Sequence, residues 1–232
     1  MKRIDIITLF PEYFEVPLNT SIIGRAQKNS LVTIHTHQLR DAATDNHGTV
    51  DDTPYGGGPG MVLKVDVLKG ALDALIAKSN STEKPFIVLL TPQGQPHTQS
   101  IAQQLSNLDW LIFICGHYEG FDERIRAYVD LELSVGPYVL SGGEPAALVA
   151  VDSIVRLIPG VTGHSDSVVE ESFSLTDDAD NPLLEYPHYT RPEEFNGQKV
   201  PDILLSGNHA LVDAWRLEQA KQRTHKRQNN SQ

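Results

Sequence analysis

The sequence predicts an α/β fold: a parallel sheet with helices on both faces, followed by a small helical C-terminal unit. Three observations predict it. Phe86–Leu90 and Leu111–Cys115 are short, wholly apolar runs, the pattern of strands buried on both faces. Stretches with helical spacing alternate with such runs, as in successive βαβ units. A polar, acidic stretch from Gly163 to Pro182 then separates this part from the last fifty or so residues.

Taken in order, Ile4 to Leu9 reads as a strand. Pro11 to Val16 and Ser21 to Lys28 read as helical, and Val32 to His37 as a strand. Arg40 to Gly60 is polar and ends rich in glycine and proline (DDTPYGGGPG), so it reads as a long structureless loop, functional or disordered. Val65 to Lys78 carries Val67, Leu68, Ala71, Leu72, Leu75 and Ile76 at helical spacing. His97 to Leu105 and Asp122 to Val129 are expected as helices, and Leu131 to Val135 as a strand. Glu144 to Leu157 is an apolar helix stopped by Pro159-Gly160. The tail from Leu183 to Gln232 reads as helical, and Ser206-Gly207-Asn208 is placed to start its last helix. The expected division is residues 1–160, a linker at 161–182, and residues 183–232.

Composition narrows the class. With 40% hydrophobic and 21% charged residues, the 232-residue chain has an ordinary globular balance. No apolar run approaches the roughly 18 residues of a membrane span, and the N-terminal stretch does not read as a signal peptide. The lone Cys115 has no internal disulfide partner, which fits a reducing, cytoplasmic setting. A net charge of −11 argues against unspecific nucleic-acid binding. A polyanion would have to meet a local basic patch, and Arg216, Lys221, Arg223, Lys226 and Arg227 supply one. The plainer reading of that tail is a solvated terminus.

Three strand ends carry the chemistry. Phe86–Leu90 runs into TPQG, Leu111–Cys115 into GHYEG, and Leu131–Val135 into GPYVLSGGE. Open α/β sheets bind ligands beyond the carboxyl ends of their strands. Glycines there let backbone groups approach a ligand closely, enough to read an adenine edge. The competing reading is three tight βα turns. No G-x-G-x-x-G, Walker loop, H-E-x-x-H or C-x-x-C occurs. The Gly56–Gly60 run lacks the Lys and Ser of a phosphate cradle and reads as a hinge or covering loop. Cys115, at the end of an apolar strand, is expected to be a buried, inert thiol.

LFPEYF, DDTPYGGGPGM, the PQG loop, CGHYEGFDERI, VGPYVLSGGE, RLIPGV, LLEYPHYTRP and LLSGNHA occur in this order along the chain. Together they resemble the bacterial tRNA (guanine-N1)-methyltransferases of the SPOUT superfamily. The resemblance implies a parallel sheet tied in a deep trefoil knot, S-adenosylmethionine as cofactor, and a homodimer with its active site between subunits. It also implies a helical C-terminal domain that grips tRNA. It raises a magnesium ion as well, although no ligand cluster for one is visible. The product it implies is 1-methylguanine 3′ to the anticodon.

Carried over by position, the resemblance assigns cofactor contacts to Thr91, Pro92 and Gln93, then to Gly116, Tyr118, Glu119 and Gly120. The third group is Val135, Gly136, Pro137, Tyr138, Val139, Leu140, Gly142 and Gly143. His117 stands where the family often has another basic residue, and Pro137 where it commonly has aspartate. Glu144-Pro145-Ala146-Ala147 displaces the family's proline by one. The chemistry asks for a base at guanine N1 and a cation facing O6, where charge builds. The resemblance gives Arg156 the cation's role and Glu171 the base's. Glu171 stands where the family has aspartate, with Glu170 as the alternative in a slipped register. One extra methylene displaces a carboxylate by ~1 Å, and such a shift can cost ~100-fold in rate. His188, Tyr189 and Arg191 are open between tRNA contact and packing. Two rival readings remain: a SPOUT enzyme acting on another RNA, and a catalytically weak relative that binds RNA or cofactor.

Overall fold

The computed structural model describes residues 1–79, 82–162, 171–177 and 181–229. The chain forms two compact units, Met1–Thr162 and Gly163–Gln232.

In the first unit, β1 (Lys2–Thr8), β2 (Val32–Gln38), β5 (Phe86–Pro96), β6 (Trp110–Cys115) and β7 (Leu131–Ser134) make one sheet. Its order is β2-β1-β6-β5-β7, and each neighbouring pair is parallel. The apolar run of β6 explains its central place, because all six of its residues are buried. The pleat sends alternate residues to opposite faces. Leu111, Phe113 and Cys115 join Ile4, Ile6, Val88 and Leu90 on one face. There they pack under α2 (Ser21–Lys28), α4 (Gln99–Ser106) and α5 (Glu144–Val155). Trp110, Ile112 and Ile114 face the other way, against Val67, Leu68, Leu72 and Leu75 of α3 (Val65–Lys78). Helices therefore cover both faces, as the alternation of the sequence requires.

Local chemistry sets the boundaries. The Thr98 hydroxyl accepts from the Ile101 amide and caps α4. Proline in the first turn of α5 lacks an N–H that would have no partner there in any case. A short α1 (Glu15–Asn19) follows a single 3-10 turn, Pro11–Phe14, whose Phe14 is buried in the core.

Four expectations need correction. The strand begun at Phe86 does not end at Leu90 but continues to Pro96, through TPQG. Asp122–Val129 is not an α-helix: Glu123–Tyr128 is 3-10, entered from an Asp122 side chain that accepts from the Arg124 amide. The Arg40–Gly60 loop is not structureless. It opens on a 3-10 turn, Leu39–Ala42, and its far part is pinned by β3 (Asp51–Asp52) pairing antiparallel with β4 (Val62–Leu63). The tail is not wholly helical either. β8 (Glu194–Phe195) and β9 (Gln198–Lys199) form a hairpin over Asn196-Gly197, both at positive φ.

In the second unit, α6 (Asp202–Leu205) precedes the long α7 (His209–Asn229). Asn208 accepts from the Leu211 amide at the start of α7, where the sequence placed it. Basic side chains of α7 hold this unit together. Arg216 stacks over the Tyr186 ring at 4.8 Å and Arg227 over Phe173 at 5.5 Å. Arg223 donates to the Glu185 carbonyl, and the Leu184 amide donates to the Thr224 hydroxyl. The basic tail is thus an ordered helix. Among the described residues no helix is long and apolar enough to cross a membrane.

Candidate active site

A cavity of about 270 Å³ opens where β5, β6 and β7 end. Its first wall is a bulge. Leu90 and Gln95 both pair with Leu133, so residues 91–94 leave the ladder between them. Thr91, Pro92 and Gln93 line the cavity from this bulge. Gly94 behind them allows the close fit: a Cβ there would stand 2.5 Å from the Leu133 amide nitrogen.

The second wall, Gly116 to Gly120, turns tightly, with Tyr118 at φ 56° and the Gly120 amide donating to the His117 carbonyl. It is braced from outside by β4. Glu119 donates to the Met61 carbonyl, Leu63 to the Gly120 carbonyl, and Asp122 to the Leu63 carbonyl.

The third wall runs from Val135 to Gly143. Ser134 accepts from the Gly136 amide, and the Tyr138 hydroxyl donates to the Val135 carbonyl. The wall then crosses to the end of β6, where the Gly143 amide donates to the Gly116 carbonyl at 2.8 Å. A Cβ on Gly143 would lie 2.7 Å from the Cys115 Cα and the Gly116 nitrogen, so only glycine permits this crossing. Every residue expected at the cofactor lines the cavity except Pro137.

Behind the third wall the Glu144 carboxylate is buried and accepts a hydrogen bond from Thr8 at 2.7 Å. Negative charge in the first turn of α5 also suits the positive end of the helix dipole. Burial pushes the Cys115 thiol well above its ordinary value, and the Glu144 charge adds to the shift. That keeps the thiol protonated and poor as a nucleophile. His117 lines the cavity with its Nδ1 buried and without a hydrogen-bond partner among the described residues.

Arg156 is the C-cap of α5, its amide donating to Asp152. Glu171 is half-buried in the second unit, its carbonyl accepting from Ser174. Each belongs to its own unit. Glu170 lies outside the described residues. Sequence reasoning missed Glu123 and Arg126, which also line the cavity. They sit on the 3-10 segment, and no local pattern announces them. Among the described residues no cluster of three or more His, Cys, Asp or Glu is placed to hold a metal ion.

A parallel α/β sheet whose strand-end loops close on a concave, glycine-lined cavity is the class of fold that places a small-ligand site beyond its strand ends. Comparison with known proteins makes this specific. The model of the family described as tRNA (Guanine-1)-methyltransferase TrmD matches residues 1–231. The tRNA (guanine-N(1)-)-methyltransferase of Brevibacillus brevis is 53% identical over 96% of this chain and 88% of its own length. The proteins of the same name from Carboxydothermus hydrogenoformans and Dehalococcoides mccartyi are 52% and 50% identical, over 94% and 97% of this chain and 82% and 88% of their own lengths. The chain belongs to the tRNA (guanine-1)-methyltransferase family.

Proposed function

We propose that the chain transfers a methyl group from S-adenosylmethionine to N1 of the guanine 3′ to the anticodon in tRNA. The observation that carries this reading is the three-walled cavity at the ends of β5, β6 and β7, in a chain of this family. Gly116, Gly136, Gly142 and Gly143 let the walls pack closely on one another, and Gly120 leaves open space where a side chain would stand. Thr91, Pro92, Gln93, Gly116, Tyr118, Glu119, Gly120 and the third wall from Val135 to Gly143 hold the cofactor. The cofactor supplies an activated methyl group, and the protein's residues supply the rest.

Guanine N1 carries a proton and is a weak nucleophile. Glu171 removes that proton as N1 attacks, and Arg156 faces O6, where negative charge accumulates. The two residues belong to different units. In this reading the catalytic pair is completed in a homodimer, with the two residues drawn from the two subunits. Arg156, a helix C-cap, also has a bland role as a cation at the negative end of α5, worth ~0.3–1 kcal/mol.

The wider expectations belong to the same proposal. Residues 1–160 form the cofactor domain, 161–182 the linker and 183–232 the tRNA-binding domain. The third wall returns from edge strand β7 to the end of central strand β6 and lies against it at Gly143. That return supports a knotted path. Lys221, Arg223 and their neighbours on α7 meet phosphates, with affinity that falls as salt rises. Arg216 and Arg223 are also engaged within their own unit, so packing and tRNA contact share these side chains. The magnesium ion that the resemblance raises has no cluster of three or more His, Cys, Asp or Glu to hold it among the described residues.

A tritiated-methyl transfer assay tests the reading, on tRNA transcripts with and without guanine 3′ to the anticodon. Methylation of the guanine-bearing transcript alone is expected, with Arg156→Ala and Glu171→Ala each losing at least ~100-fold. A methylated ribose, or methylation of ribosomal RNA and not tRNA, would overturn it. Cofactor binding with no methylation of any tRNA would make the chain a binding module.

A further inference from the structure

Arg126 stands at the junction of all three walls of the cavity. Its side chain is mostly buried and each end of the guanidinium is taken. Nη2 donates to Gln93 Oε1 on the first wall. Nη1 pairs with Glu132 on β7, the strand that leads into the third wall. Nε pairs with Glu123 at 2.8 Å on the 3-10 segment that follows the second wall. A guanidinium is planar with its donors in fixed directions, so three simultaneous partners lock its plane.

This arrangement fixes the polarity of Gln93. A side-chain amide has an accepting oxygen and a donating NH2 group. The oxygen is claimed by Arg126 and by the Thr91 hydroxyl at 3.4 Å. Flipping the amide would set its NH2 against a guanidinium that can only donate. Gln93 lines the cavity and so offers it donors only. Such a group recognises an acceptor oxygen, in this cofactor a ribose hydroxyl or the carboxylate.

We propose that Arg126 is a positioning residue of the cofactor site, which holds Gln93 so that its amide NH2 faces an acceptor oxygen of S-adenosylmethionine. The proposal rests on the cofactor reading of the cavity. Arg126 lines the cavity as well, but its three nitrogens are engaged by Gln93, Glu132 and Glu123, so its loss acts on cofactor affinity through Gln93 and leaves the chemical step almost untouched.

The test is calorimetric titration of S-adenosylmethionine into the full-length protein, with steady-state methylation beside it. Arg126→Met is expected to weaken binding roughly tenfold, the worth of one good hydrogen bond, and to raise KM for the cofactor with kcat little changed. Gln93→Met should lose as much, and the double variant no more than Gln93→Met, since the two act through one contact. Gln93→Glu keeps a partner for Arg126 but removes the donors. It should bind as weakly as Gln93→Met, and it gives the answer even if Arg126→Met does not fold. Wild-type affinity in Arg126→Met or in Gln93→Glu overturns the role, as do losses that add in the double variant. Failure of the parent protein to bind S-adenosylmethionine overturns the cofactor reading itself.

Discussion

The hydroxyl of Thr8, at the end of β1, donates a 2.7 Å hydrogen bond to the carboxylate of Glu144, in the first turn of α5. Both residues are buried. A carboxylate removed from water needs such partners, and a hydrogen bond to a charged acceptor contributes about 1.5–3 kcal/mol. Thr8→Val keeps the shape and removes the donor. It is expected to lower unfolding free energy by about 2 kcal/mol in urea titration. A change below about 0.5 kcal/mol, the scatter of ordinary surface substitutions, would show that the bond is not needed.

Stability should fall with acid in two stages. Burial pushes the Asp5 carboxyl up, but hydrogen bonds from His37, Arg3 and Trp110 outweigh it and leave Asp5 below 3.8. Its contribution is complete above that unfolded value and is lost as pH falls through the lower folded one. His97 runs at higher pH. Burial alone holds it below 6.5, so the unfolded chain takes up a proton first and stability declines as pH drops below 6.5. Urea titration followed by Trp110 fluorescence, in a Trp215→Phe background, separates the stages. His97→Gln should flatten only the upper stage. Asp5→Asn should flatten only the lower one, while costing about 1.5–3 kcal/mol at neutral pH because Arg3 keeps a neutral acceptor but loses its charged one.

Gly143→Ala should destroy the cavity without unfolding the sheet. The new Cβ would sit 2.7 Å from the backbone at Cys115 and Gly116, so the third wall must lift off β6. Titration with S-adenosylmethionine should show at least ~100-fold weaker binding, a displacement of ~1 Å being enough to lose such a factor. Circular dichroism should keep the native helix content. Undiminished affinity would mean that the crossing does not shape the site.

Cys115 should be inert in the folded protein. Its thiol is buried and held well above its ordinary range. A thiol reagent at mildly alkaline pH should label the native protein no faster than the chain unfolds, and label the urea-unfolded chain at once. Fast native labelling would contradict the burial.

Much of this was legible in the sequence, because burial writes itself into periodicity. The helix expected over Val65–Lys78 has those bounds, and β6 is buried along its whole length as its composition demands. The cavity loops were legible as glycines at strand ends. The misses have particular causes. TPQG looks like a turn, yet the chain resumes pairing after a bulge because Leu133 offers Gln95 a partner, and that partner is distant in sequence. β3 and β4 are two residues each, too short for any alternation to register. The β8–β9 hairpin carries a signal, Asn196-Gly197, inside a tail whose later apolar spacing predicts helix. Arg126 left no local trace, since Gln93 lies 33 residues away.

The pairing of β3 with β4 has one more consequence. It draws the two ends of residues 53–61 together, and beyond this clasp Gly56, Gly57 and Gly58 would meet nothing within 4 Å if they carried side chains. The tip of the segment is therefore open to insertion, while Gly60 and Met61 stay against Glu119. Lengthening it costs little, since doubling a loop adds only about 0.6 kcal/mol of closure entropy. A graft at this tip can be read out beside the cavity, because the same β4 strand braces the second wall.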